Sequence, residues 1–267
     1  MLNVNNELCI KCGICADICP IKIISLKKGI PCIIPERVDN CMNCGHCVAA
    51  CPNAAISLDS MLADECEQIS KNIIDKSSLK QLFMSRRSVR HYKDKPVDKS
   101  KINELIEIAN YAPTGRNEEE ISWIVVSDKA ILNKLIDATI SWMKKESASS
   151  NFLSDYFSGL IKSREKGNDP ILRGAPAVII AIADNNIGVA VEDGATAISY
   201  IELAAPQFEL GSCWAGFLYY AINAKTELQQ LLQIKEEQKC VGAVMLGEAK
   251  HRYHRIPKRS NPRIDWF

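Results

Sequence analysis

The sequence carries one four-cysteine frame twice. Cys9, Cys12, Cys15 and Cys19-Pro20 occupy "CIKCGICADICP", and Cys41, Cys44, Cys47 and Cys51-Pro52 repeat the frame in "CMNCGHCVAACP". Of the 12 cysteines in the chain, most therefore fall between Cys9 and Cys51. Such density admits a disulfide framework, a zinc site or iron–sulfur ligation. Disulfides fit worst, because "MLNVNNELCIKCG" shows no basic start followed by an apolar run, the mark of an exported chain. Zinc usually takes its ligands from two separated C-x-x-C knuckles around a tetrahedral ion. Each frame here instead holds three cysteines in close succession and a fourth that precedes proline.

The C-x2-C-x2-C-x3-C-P run is that of bacterial ferredoxins, and residues 1–60 resemble a two-cluster ferredoxin of that family almost end to end. The resemblance implies two [4Fe–4S] clusters, with the last cysteine of each frame serving the other cluster. Cys9, Cys12, Cys15 and Cys51 would hold one; Cys41, Cys44, Cys47 and Cys19 would hold the second. Gly13 and Gly45 sit at the same place in each frame, where a tight loop favours a residue without Cβ. Between the frames, residues 21–38 read as short apolar strands around a turn at Lys28-Gly29. Cys32 lies outside both frames and reads as a small buried hydrophobe. His46 reads as a polar loop residue, with a hydrogen bond tuning one cluster as the alternative. A module of this kind moves single electrons and needs a reducing, anaerobic setting.

After Leu58 the composition changes. Residues 59–79 are polar, with helix-like spacing at Met61, Ile69 and Ile73, and read as a connector that holds an exposed Cys66. The expected division is 1–60 for the cysteine-rich domain, 61–77 for the connector and 78–267 for a larger domain. Ser78 is expected to cap a short helix with Leu79, Leu82 and Phe83 on its apolar face. A second helix should start near Asp98 or Ser100, place Ile102, Leu105, Ile106 and Ala109 at core spacing, and stop before Pro113. Between them "RRSVRHYKDK" is dense in positive charge. Arg86, Arg87, Ser88 and Arg90 could form an anion pocket, since arginine forks match phosphate oxygens in pairs; a solvated basic turn is the plain alternative.

The order of these elements resembles the FMN-dependent nitroreductase family over about residues 78–260. Arg86-Arg87-Ser88-Val89-Arg90 is followed by Ala112-Pro113-Thr114-Gly115-Arg116-Asn117 and the strand "SWIVVSD". Next come the strand "PAVIIAIAD" (176–184), a long helix over 189–210, Gly211-Ser212-Cys213-Trp214, a strand at 240–248 and a basic tail. The resemblance implies an α+β fold, a sheet covered by helices, after the small ferredoxin-type domain. It further implies that Arg86, Arg87, Ser88 and Arg90 hold the FMN phosphate and ribityl chain. Asn117 would face the flavin, and the backbone at Leu210 and Gly211 would line its ring. A basic residue of the tail, Arg255, Lys258 or Arg259, would reach the phosphate. One departure is Glu118-Glu119-Glu120, where many members have a Gln-Pro-Trp-like segment; these carboxylates either disfavour an anionic substrate or point to solvent. Residues 144–170 suggest a mobile lid on which Phe152, Tyr156 and Phe157 cover the ring, or else ordinary aromatic packing. Cys213 reads as packing, since no base stands beside it.

The expected function is that of an FMN-dependent oxidoreductase whose clusters relay electrons to the flavin for reduction of a small organic acceptor, a nitroaromatic, quinone or enone. One alternative is an NAD(P)H-driven flavoenzyme, binding nicotinamide transiently, whose clusters feed a protein acceptor such as an external ferredoxin. Another is a carrier or redox sensor without turnover. The resemblance also implies a homodimer. Net charge of +1, with 24% charged and 47% hydrophobic residues, suits a globular protein and gives no reason to expect nucleic acid. The tail lacks interleaved aromatics for base stacking. The longest apolar run, 175–183, is too short to span a membrane, so a cytoplasmic protein without a membrane partner is expected.

Overall fold

A computed structural model describes residues 2–70, 74–147 and 154–267. The chain divides into two compact units that part at residues 73–74, with residues 116–118 falling outside the second.

The first unit is built from short elements: β1 (Leu2–Val4), α1 (Ile14–Ile18), β2 (Ile24–Lys27), β3 (Ile30–Ile33), α2 (His46–Ala49) and β4 (Ile56–Leu58). β1 pairs antiparallel with β4, and β2 with β3. The β2–β3 hairpin turns at Lys28 and Gly29, both at positive φ (52° and 81°), as a two-residue turn matched to strand twist requires. The core is small: Ile23, Ile24, Val48, Ile56 and Leu58 pack around Cys15, Cys19 and Cys47. A core of this size is marginal alone, and such domains usually need a metal group or cross-link.

The second unit contains α3 (Lys76–Ser85), α4 (Lys99–Ala109), β5 (Ser122–Val126), α5 (Lys129–Ser147), α6 (Ser154–Glu165), β6 (Ala177–Asp184) and α7 (Ala190–Ala204). It continues with β7 (Gly211–Trp214), α8 (Gly216–Ala224), α9 (Thr226–Leu231) and β8 (Gln238–Gly247). The strands form one antiparallel sheet in the order β5-β6-β8-β7. β6 is buried on both faces, and its alternation separates two cores. Val178, Ile180 and Ile182 join Leu132, Leu135 and Ile136 of α5 and Leu218 and Ile222 of α8. Ala177, Ile179, Ala181 and Ala183 join Ile102 and Leu105 of α4 and Ile198 and Ile201 of α7. The alanine-rich face lets α7 lie close to the sheet. A Cβ on Gly194 would stand 2.9 Å from the Val241 carbonyl oxygen, and one on Gly242 would stand 2.9 Å from the Ile198 side chain. The sheet covered by helices on both faces is the α+β architecture expected.

Four local expectations are corrected. The cap of α3 is Asp75, which accepts from the Ser77 and Ser78 amides at 2.9 and 3.1 Å, so the helix begins before Ser78. None of its residues is buried, and Leu79 and Phe83 are exposed. No helix forms over residues 61–70 of the connector: Met61 bridges back to Leu58, Ile69 is exposed, and Ile73 lies outside the described residues, so that among the described residues helix begins only at Lys76, where α3 starts. The helix expected over 189–210 ends at Ala204 and gives way to a 3-10 turn at Ala205–Phe208, because Pro206 lacks the amide that would continue it. The proposed lid is mostly helix. Within α6, Phe157 is buried with ring centroids 5.6 Å from Trp142 and 5.9 Å from Phe217, while Tyr156 leans on Phe217 and stays half exposed. Ordinary packing thus accounts for these two rings; Phe152 lies outside the described residues.

Candidate functional sites

In the first unit, each frame turns through the left-handed region at matching places: Lys11 and Gly13 at φ 58° and 78°, Asn43 and Gly45 at 49° and 69°. Each glycine then starts a short helix that buries the cysteine two positions on, Cys15 in α1 and Cys47 in α2. Cys9, Cys12, Cys15 and Cys51 line one small cavity, with Leu8, Ile10 and Ile56 among its walls. Cys19, Cys41, Cys44 and Cys47 line a second, walled by Ile21, Ile23, Ile24 and Leu58. The quartets are those that the frames imply, each drawing its fourth cysteine from the other frame. Among the described residues no group of His, Cys, Asp or Glu gathers closely enough to hold a single metal ion; the cysteines ring cavities instead. That donor set fits a thiolate-ligated [4Fe–4S] group in each cavity. Burial pushes the Cys15 thiol up and takes Cys47 to about 11, so the thiols depend on a bound cationic centre to become ligating thiolates. His46 lines the second cavity with Nδ1 3.1 Å from the Cys44 carbonyl oxygen, although its ring is exposed. Cys32 sits on β3 beside Ser25 Oγ at 3.2 Å, outside both linings.

The second unit opens a cleft of about 910 Å³. Its floor is the start of β7, with Leu210, Gly211 and Ser212; Arg86 and Arg87 enter from the end of α3. Segment 88–93 is laid against β7 by backbone bonds. Ser88 bridges Ser212, the Val89 amide donates to the Ser212 carbonyl at 2.8 Å, and the buried Tyr92 hydroxyl donates to the Val89 carbonyl at 2.7 Å. Gly211 makes this fit possible, since a Cβ there would stand 2.4 Å from Val89 Cγ2.

The electrostatics are mixed. Lys93 Nζ lies 3.1 Å from Glu248 Oε2 and Lys95 pairs with the other oxygen, which holds the Glu248 carboxyl below its usual range. Arg86 Nη1 lies 3.5 Å from Glu202 Oε1. Burial pushes the Glu202 carboxyl up by more than Arg86 draws it down. From the tail, His251, Arg252 and Tyr253 line this cleft. Lys258 and Arg259 line a separate cavity of about 630 Å³ that also touches Arg86, Arg87, Phe83 and Met84. Ser88, Arg90, Asn117 and Arg255 line neither. Arg90 Nη1 donates to the Ser88 carbonyl at 3.4 Å. Asn117 follows Arg116 in a tight turn at positive φ, just after Gly115, whose amide donates to Asp193 Oδ2 at 2.8 Å. Cys213 is buried, its thiol pushed up by burial, in keeping with packing.

Lys93, Lys95, Glu202 and Arg252 were not singled out in the sequence. The lysines stand inside the basic run already noted. Glu202 has a subtler signal: with Ile198, Ile201 and Ala205 it follows an i, i+3, i+4, i+7 pattern, so a carboxylate interrupts an apolar stripe. Guanidinium and ammonium groups outnumber carboxylates along the cleft, and a phosphate would be held by that surplus. Such a cleft fits a phosphate-bearing cofactor. No helix of the described residues is long and apolar enough to cross a membrane.

Comparison with known proteins agrees with this geometry. Residues 83–248 match the model of the Nitroreductase family, and residues 8–55 match a 4Fe-4S dicluster domain. A protein of Archaeoglobus fulgidus, provisionally named NADH dehydrogenase/NAD(P)H nitroreductase, is 28% identical over 68% of this chain and 92% of its own length. Among solved structures, an FMN-bound nitroreductase from Desulfitobacterium hafniense superposes with a TM-score of 0.57 at 21% identity, covering 70% of this chain and 96% of the other. An FMN-bound nitroreductase from Bacteroides fragilis gives 0.57 at 22%, covering 72% and 99%. The family match takes in more than half of the chain, and the chain belongs to the nitroreductase family, with a 4Fe-4S dicluster domain preceding the nitroreductase domain.

Proposed function

We propose that the protein is an FMN-dependent oxidoreductase in which two [4Fe–4S] clusters exchange electrons with the flavin for reduction of a small organic acceptor such as a nitroaromatic, quinone or enone. The observation that carries this is the division of labour: two cysteine-ringed cavities in one unit, and in the other a cationic cleft floored by Leu210–Ser212. Bound FMN supplies redox chemistry that can be divided into one-electron steps, the currency of iron–sulfur clusters. The chain's own part is to bind and orient. Arg86 and Arg87 take the phosphate, helped by Arg252 from the tail, and the backbone at Leu210 and Gly211 borders the ring. The assignment of Ser88 and Arg90 to the phosphate and ribityl chain, and of Asn117 to the flavin, rests on the family resemblance alone, since none of the three lines the cleft. Gly211 lets segment 88–93 lie against β7, and Asp193 fixes the turn at Gly115. The eight cysteines of the two frames ligate the clusters. We assign residues 1–60 to the ferredoxin-type domain, 61–77 to the connector and 78–267 to the flavin domain of a cytoplasmic homodimer.

The name of the A. fulgidus relative favours a second reading in which NAD(P)H is the donor and the clusters pass electrons onward. Anaerobic purification tests the primary reading. The expected preparation releases FMN on denaturation and contains about eight irons with matching acid-labile sulfide per chain. Zinc in their place, or a preparation that takes up no flavin, would refute it.

A further inference from the structure

We propose that Glu202 is a positioning residue that lowers the preference of the cleft for a phosphorylated flavin by occupying the Arg86 guanidinium. The proposal rests on reading the cleft as the flavin site. Glu202 projects from α7 with its side chain 16% exposed, and Arg86 Nη1 is 3.5 Å from its Oε1. Both residues line the cleft. Lys93 and Lys95, which also line the cleft, are paired with Glu248. Arg87 and Arg252 also line the cleft and join no ion pair among the described residues.

A phosphate dianion entering this cleft therefore meets two guanidinium groups without an ion-pair partner and one that is already paired. Carboxylate and phosphate compete for the same planar fork of donors. A second anion beside the phosphate also repels it, and in a half-buried cleft that repulsion is only partly screened. A flavin lacking the phosphate makes no demand on Arg86 and feels neither effect. Glu202 thus acts on ligand choice through Arg86, without needing to touch the ring.

The test is a fluorescence titration of the full-length protein, clusters in place and resident flavin removed, with FMN and with riboflavin. Glu202→Gln keeps the shape and an acceptor for Arg86 while deleting the charge. It is expected to tighten FMN about tenfold and to change riboflavin by less than about twofold. Glu202→Leu, a second way of removing the charge, should raise the FMN-to-riboflavin preference in the same direction. Glu202→Asp should leave it near that of the unaltered protein. An unchanged or reduced preference in both neutral variants overturns the proposal, because Glu202 would then be holding Arg86 in its binding position. Failure of the unaltered protein to bind either flavin strikes the assignment of the cleft itself, and this proposal with it.

Discussion

Replacing Gly211 with alanine tests how the cleft is assembled. Gly211 does not occupy the left-handed region, so alanine meets no backbone penalty there. The added Cβ would instead stand 2.4, 2.8 and 3.0 Å from Cγ2, Cβ and Cγ1 of Val89. Val89 is buried and tied by its amide to the Ser212 carbonyl, so it cannot swing aside without lifting the segment that carries Ser88 and Arg90. Overpacking of this kind costs about 1–3 kcal/mol. With a urea dependence of about 2 kcal/mol per molar, the midpoint should fall by roughly 0.5–1.5 M. All 4 tryptophans (Trp123, Trp142, Trp214 and Trp266) lie after residue 74, so their fluorescence reports the second unit alone. Loss of FMN should accompany the loss of stability. Adding Val89→Ala removes the two nearest methyls, and the double variant should be less destabilised than the sum of the singles. A midpoint unchanged in Gly211→Ala, or strict additivity in the double variant, would refute the steric argument.

Cys12→Ala and Cys44→Ala should each remove about four of eight irons, and metal analysis should show two separate losses that combine in the double variant. Equal loss of all iron from either single change would contradict two independent quartets. Glu202 should also make stability depend on pH. Burial raises its folded-state pKa, so its favourable contribution is full below the unfolded value and is lost as pH rises through the folded one. Glu202→Gln should therefore have the higher urea midpoint at pH 8, with the gap closing toward pH 4.5; a gap that widens on acidification reverses the sign. The Cys240 thiol is pushed up to about 12 by burial, which leaves roughly one thiolate in ten thousand at pH 8. Iodoacetamide on the native protein, read by peptide mass, should label exposed Cys66 and spare Cys240.

The cysteine quartets were legible because their spacing is local: three ligands come from one loop, and the two frames stand in the same order as the cavities they line. The sheet strands β6 and β8 were legible for a similar reason, as uninterrupted apolar runs. The cleft was only half legible. Arg86 and Arg87 could be named from "RRSVR", but Glu202 is 116 residues away in sequence and meets Arg86 through the packing of α7. The basic tail residue lining the cleft is Arg252, while Lys258 and Arg259 line the separate cavity that shares Arg86 and Arg87; the Lys93–Glu248 and Lys250–His91 backbone bonds fix where the chain leaves β8. Residues 144–170 looked like a lid because polar residues at the end of α5 hide its register. Its burial pattern emerges only against Phe217 from α8.

Under the proposed function, the cysteine-ringed unit exchanges electrons with the flavin cleft. The most direct measurement mixes anaerobic full-length protein with a reduced external ferredoxin in a stopped-flow instrument and follows flavin absorbance. Fast bleaching is expected, and it should be lost in the Cys12→Ala, Cys44→Ala double variant while FMN content is kept. Bleaching by NADH or NADPH that survives those changes, with none from reduced ferredoxin in the unaltered protein, would contradict it.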